Sequence, residues 1–266
     1  THDDADHQDP AWSPDGERLA FVLSTDSTRV VYVMDPTGKG RKPVTPTTVR
    51  AIHPSWTPDG RRILFSTDDD LTPPAKNESE IYAVDVATLR IDTLITGGVN
   101  TFPVMSPDGK WIALRKIVGE MNSEVFLARA DGTELRNLTD HPAYDGWPAW
   151  SPDGKLIAFA ANRNGTDHQI FIMQADGSHV RLVADTRGRA TSPKWVPDGR
   201  SLFFTNCFPE EEGGGCEIMH ALVEDLRPPT VVLHENGVEN AYPRLSADGK
   251  RILYQSKRTG KWQLYI

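Results

Sequence analysis

Pro10-Ala11-Trp12-Ser13-Pro14-Asp15-Gly16 decides the fold, because the phrase returns at 54–60, 103–109, 148–154, 193–199 and 243–249. The Asp-Gly aspartates Asp15, Asp59, Asp108, Asp153, Asp198 and Asp248 follow one another at spacings of 44, 49, 45, 45 and 50 residues. A regular period of that length marks supersecondary units that are stacked or set around an axis. Each unit reads as four short strands. The first carries the Trp-Ser-Pro part, and Asp-Gly makes a tight turn, since Gly tolerates positive φ and Asp bonds the backbone two residues on. Apolar runs follow, such as Leu156-Ile157-Ala158-Phe159 and Ile170-Phe171-Ile172-Met173, and a fourth strand ends near Leu182-Val183. Their composition suits strands buried on both faces. No segment holds a sustained helical period.

Four antiparallel strands in each of six units predict an all-β fold, a six-bladed β-propeller spanning residues 1–266 as one domain. The bulky phrase residues Trp12, Trp56, Met105, Trp150, Trp195 and Leu245 read as packing between blades, not as ligand platforms. The turn aspartates are explained by the turn alone. The last unit shows three strands and ends at Ile266, while the chain opens on Thr1-His2-Asp3-Asp4, which reads as a processed or trimmed terminus. Either the missing strand lies upstream of Thr1, or the ring closes on a three-stranded blade.

Composition bounds the function. The net charge of −8 argues against nonspecific nucleic-acid binding, which needs a basic surface. No run approaches 18 consecutive apolar residues, so no membrane span is expected. The two cysteines, Cys207 and Cys216, bracket a loop with three consecutive glycines. They read as a disulfide made in an oxidising compartment; the alternative is two reduced thiols sharing a loop.

The phrase Pro-x-Trp-Ser-Pro-Asp-Gly, followed by the strand Ile170-Phe171-Ile172-Met173-Gln174-Ala175-Asp176-Gly177, resembles the TolB-type propeller repeat, and the fourth unit matches it best. Met105, Val196 and Ala247 depart from the phrase. The resemblance implies a periplasmic or secreted protein whose propeller binds protein segments. Similar propellers also gate peptidases.

In a propeller the regular Asp-Gly turns share one face, and the irregular loops share the other, where function concentrates. Residues just before each phrase proline are expected at the channel mouth. They are Asp6, His7 and Asp9; Arg50 and His53; Asn100 and Phe102; Tyr144, Asp145 and Trp147; Arg189; and Glu239, Asn240 and Tyr242. Charges, amides and aromatics together suit a polar ligand or peptide, whereas the plain alternative is a solvated loop rim. Asp3, Asp4 and Asp6 offer carboxylates to calcium, and His2 and His7 would suit zinc; the alternative is a solvated acidic terminus. Two long segments, 66–80 with Asp68-Asp69-Asp70 and 207–216 with Glu210-Glu211-Glu212, are placed to cover the same face.

No Gly-x-Ser-x-Gly elbow, His-Glu-x-x-His pair, phosphate loop or Cys-x-x-Cys occurs. The expected function is therefore a noncatalytic extracytoplasmic scaffold, a monomer without a required cofactor, engaging a protein or peptide at the channel mouth. Two alternatives stand beside it: a polysaccharide lyase or hydrolase with a metal-assisted site in the channel, and the regulatory propeller of a larger peptidase.

Overall fold

A computed structural model describes Thr1 and residues 4–67, 78–120, 122–165, 167–225 and 227–266. Six antiparallel sheets form the blades of a propeller, five with four strands and the last with three. Blade one runs Asp6–Trp12, Leu19–Ser24, Arg29–Met34 and Lys42–Pro43, and blade two Ala51–Trp56, Arg62–Thr67, Ile81–Asp85 and Ile91–Ile95. Blade three is Asn100–Met105, Trp111–Gly119, Asn122–Arg129 and Arg136–Asn137, and blade four Asp145–Trp150, Leu156–Ala161, Gln169–Gln174 and Arg181–Ala184. Blade five is Arg189–Trp195, Ser201–Cys207, Cys216–Leu222 and Thr230–Leu233, and blade six Asn240–Leu245, Ile252–Ser256 and Gln263–Tyr265.

The first strand of each blade stops at the bulky phrase residue, earlier than the sequence implied. The Ser-Pro-Asp-Gly that follows is a closed turn. Ser151 Oγ donates to Asp153 Oδ1 at 2.7 Å and accepts from the Leu156 amide at 2.9 Å, so the hydroxyl bridges the turn. The same Ser or Thr to Asp bond recurs at Ser13, Thr57, Ser106 and Ser246, and blade five has Val196 in that place. The turn aspartates are consumed by this work.

Packing between blades supplies the core. Clusters join blades one and two, two and three, three and four, four and five, and six and one. The second strands place Phe21, Phe65, Phe159 and Phe204 at equivalent, fully buried positions. Each contributes roughly 2–3 kcal/mol by burial. The phrase tryptophans stitch neighbours, as expected: the indole N–H of Trp195 donates to Ala149 O at 3.0 Å, and that of Trp56 to Ala11 O at 3.2 Å. The aromatic body fills the gap between sheets while its polar atom finds a carbonyl.

Blade one meets the three-stranded blade six. The Thr1 ammonium donates to Leu264 O, and Leu264 N donates back to Thr1 Oγ1, both at 3.0 Å. Trp262 N donates to Asp6 Oδ1 at 2.8 Å, and His7 N to Trp262 O at 2.8 Å. The segment leading into blade one thus lies against the last strand of blade six. Cys207 and Cys216 are disulfide-bonded across the second and third strands of blade five. No helix among the described residues is long and apolar enough to cross a membrane.

Candidate functional site at the channel

Every inner strand carries a bulge at the same place. Register shifts fall between Gln8 and Ala11, Ile52 and Ser55, Gly146 and Ala149, Thr191 and Lys194, and Ala241 and Arg244, with the equivalent break in blade three. The residue at each bulge precedes the phrase proline and is left-handed: Asp9 (φ 51°), His53 (52°), Phe102 (55°), Trp147 (52°), Ser192 (54°) and Tyr242 (56°). None is glycine. A side chain in this region costs about 1–2 kcal/mol, and a following proline disfavours the helical alternatives further. A bulge of this kind re-aims a side chain, here into the channel. All six line one cavity of about 240 Å³ with Ser55, Val104, Lys194 and Arg244.

The preceding blade braces this strained ring. Asp9 N donates to Gln255 Oε1 at 2.8 Å, and Tyr242 N donates to Thr205 Oγ1 at 2.9 Å. His53 N donates to Asp9 Oδ2 at 3.1 Å, while His53 Nδ1 lies 3.0 Å from Ser66 Oγ. An aromatic arc continues around the mouth. His53 stacks on Phe102 with centroids 3.6 Å apart, Phe102 meets Trp147 at 5.4 Å, and Trp147 meets Tyr144 at 5.5 Å. His168 closes the arc edge-on to Tyr144 at 4.9 Å. The Arg115 guanidinium lies 5.1 Å from the Phe102 ring and 5.4 Å from Tyr144, whose hydroxyl it also bonds. Arg189 lies 5.5 Å from Trp147. Such cation–π contacts hold the rim arginines over the rings.

Burial governs the electrostatics. Desolvation pushes the Asp9 carboxyl above its usual range, against the His53 N–H and the Arg244 and Arg29 charges that lower it. Tyr242 is pushed up to about 12, by burial first and then by Asp9, so its hydroxyl stays protonated. Arg244 is lowered to about 10 by burial, and Lys194 well below its ordinary value by burial and by Arg244. His168 falls to about 4, through burial and then Arg189 and Arg115, and is neutral at pH 7.

The expected mouth residues divide by position. Asp9, His53, Phe102, Trp147 and Tyr242 face the channel. Tyr144 and Arg189 stand at the rim, lining a cleft of about 420 Å³ with His168, Asp167 and Ile117. Arg50 and Glu239 precede their strands, and Glu239 pairs with Lys257 at 2.7 Å. His7, Asn100, Asp145 and Asn240 do not reach the mouth: all four are buried. They sit two residues before the ring position, where the strand turns its side chains into the blade stack. His7 packs on Phe21, Asn100 donates to Ser79 O, and Asp145 is ion-paired with Arg163 at 2.5 Å. Of the acidic terminus, Asp4 is exposed, Asp6 is bound to Trp262, and His2 and Asp3 lie outside the described residues, as does the 68–77 part of the long segment. Among the described residues no three His, Cys, Asp or Glu side chains converge as a metal site.

Sequence reasoning missed Ser192, Lys194, Arg244, Arg115 and His168. Ser192 shares the pre-proline position of the other five ring residues. Lys194 and Arg244 fill the variable slot of Pro-x-Trp, otherwise Ala11, Ser55, Val104 and Ala149. Two cations in a slot of small residues were the available signal.

A model of the TolB β-propeller domain matches residues 72–266. The chain belongs to this family. A model of the lipoprotein LpqB β-propeller domain matches residues 2–133. No curated protein matches. Among solved structures, TolB from Acinetobacter baumannii superposes with a TM-score of 0.72 at 20% identity, over 94% of this chain and 63% of that one. This TolB-type propeller therefore spans under two thirds of that protein's length. A putative TolB from Agrobacterium tumefaciens gives 0.70 at 19% identity, over 98% and 90%. An oligogalacturonate lyase in complex with manganese gives 0.66 at 15%, over 96% and 75%. At these identities the likeness is one of fold.

Proposed function

We propose that this propeller is a noncatalytic, extracytoplasmic scaffold that takes a protein or peptide segment into the mouth of its channel. The observation that carries this reading is the ring of six non-glycine residues held left-handed before proline. Glycine would relieve the strain at every one of them, so the retained side chains point to contacts made in the channel. The arc of aromatic rings beside two arginines supports it, since aromatic and Arg side chains dominate protein-binding hot spots. The disulfide and the relation to TolB and LpqB propellers support a location outside the cytoplasm.

The test begins with partners retained from a cell-envelope extract by the immobilised protein, identified and then purified. Their affinity is measured for the wild type and for the triple variant Arg50→Ala, Tyr144→Ala, Arg189→Ala. Loss of binding with an unchanged melting temperature is expected. A partner that binds the triple variant as tightly as the wild type removes the mouth as the site.

A further inference from the structure

The chain has a net charge of −8, and several of its arginines have carboxylate partners. Arg62 pairs with Asp92, Arg129 with Glu134, Arg163 with Asp145, and Arg258 with Glu235. Four cations around the channel depart from that pattern. Arg115 bonds only Thr101 Oγ1 and the Tyr144 hydroxyl, and Arg189 touches the Trp147 face. Arg244 donates to Pro243 O, and among the described residues Lys194 meets burial and the Arg244 charge without a carboxylate partner. The acidic groups nearby are Asp9, which shares the cavity with Lys194 and Arg244, and Asp167 in the rim cleft. Neither lies within ion-pair distance of the four. Lys194 and Arg244 line the channel, Arg189 lines the rim cleft, and Arg115 lies over the rim rings, so an acidic protein leaves cations without carboxylate partners at the channel and its rim, which focuses a positive field there and draws anions to it.

Lys194 and Arg244 hold the same slot on adjacent blades and line the same cavity. Burial acts against both charges, and Arg244 acts further against that of Lys194; a bound carboxylate would relieve both. Arginine is suited to bidentate contact with such a group. The remaining walls include Pro54, Pro103, Val104 and Pro148, which accept the apolar side chains of a peptide. Asp9, in turn, is placed to accept a peptide N–H. These walls favour a peptide over an acidic saccharide.

Resting on the reading of the mouth as a peptide site, we propose that its ligand is an extended acidic peptide segment. One carboxylate sits between Lys194 and Arg244, and a second lies at Arg115 and Arg189. The spacing follows from the strand: Arg189 and Lys194 are five residues apart on it, at most about 16 Å, because the bulge at Ser192 shortens the run. An extended peptide covers that distance in about five residues. The ligand therefore carries acidic groups four to five residues apart, or one acidic residue that far from a terminal carboxylate.

Calorimetry with two capped hexapeptides tests this, each with four alanines between its ends, one glutamate-ended and one glutamine-ended. The glutamate peptide is expected to bind at least tenfold tighter, and Lys194→Met and Arg244→Gln each to weaken it at least tenfold. Lys155→Met, on the opposite face, leaves binding unchanged. Folding has its own readout: Lys194→Met removes a half-buried amine without a carboxylate partner, so its melting temperature rises by about 2–4 °C while binding falls. Equal binding of the two peptides, or unchanged affinity in Lys194→Met, overturns the proposal. Tighter binding of a uronate trimer with the same variant sensitivity overturns it too, by assigning the cations to an acidic saccharide. If neither peptide binds, yet an isolated partner is still lost in the triple rim variant, acid selectivity fails and the mouth stands.

Discussion

Ser192 offers the sharpest test of the strained ring, because its side chain is small and its φ is 54°. At an ordinary strand position, alanine is more stable than glycine by roughly 0.5–1 kcal/mol, since glycine loses more backbone freedom on folding. At Ser192 the order inverts. Alanine keeps the Cβ that makes the left-handed region cost about 1–2 kcal/mol, whereas glycine removes it. Subtracting glycine's entropic cost leaves Ser192→Gly ahead of Ser192→Ala by about 0.75 kcal/mol at the middle of the two ranges. For a chain of this length that is about 1–4 °C in melting temperature. The control is Ser55, on the same kind of strand without positive φ, whose hydroxyl donates to Pro103 O at 2.6 Å. Both substitutions there lose that bond, so Ser55→Ala should exceed Ser55→Gly in the usual order. Differential scanning calorimetry of the four variants reads both pairs. If Ser192→Ala proves more stable than Ser192→Gly, the ring stores no backbone strain, and the reasoning from strain to function fails.

Gly132 has φ +87°, and a Cβ there would meet Leu94 O of the neighbouring blade at 1.9 Å. Gly132→Ala is therefore expected to cost about 2 kcal/mol or more, read as a lower denaturation midpoint, whereas Gly38→Ala, with open space around it, costs less. The Cys207–Cys216 disulfide predicts no free thiol in the denatured, unreduced protein and two after reduction, with about 2.5–3 kcal/mol of stability lost. The carboxyls of Asp15, Asp59, Asp108 and Asp153 are held below their usual range, first by the Ser or Thr hydroxyl and then by a backbone N–H. Their contribution is therefore complete above the ordinary carboxylate range and fades as pH falls through the lower folded values. Melting temperatures followed from about pH 5 to about pH 2 should decline less steeply in Ser13→Ala/Ser151→Ala than in the wild type.

The repeat made blade number, inter-blade tryptophans and turn aspartates legible, because each depends on residues that recur at fixed offsets. The ring was partly legible for the same reason: the residue before the phrase proline is a fixed offset too. What the sequence concealed was the bulge. Without it, simple alternation spreads Asp145 and Trp147 alike around the mouth; with it, Trp147 enters the channel and Asp145 turns into the blade to meet Arg163. The hairpin of blade three, Trp111–Gly119 with Asn122–Arg129, extends beyond the apolar core residues that signalled it. Arg115 and Lys116 are polar positions in that extension, and Arg115 becomes the rim cation by facing the next blade. His168 carried no repeat signal, since it lies in the irregular loop before its strand.

The central claim is that a partner segment enters the channel from the irregular face. Its most direct measurement is a photo-crosslinking map, with a benzophenone side chain placed in turn at Phe102, Ile117 and Lys155 and exposed to the isolated partner. Adducts at Phe102 and at Ile117 on the rim, with none at Lys155 on the Asp-Gly turn face, are the predicted result. Adducts confined to Lys155, or equal at all three positions, contradict entry through the channel mouth.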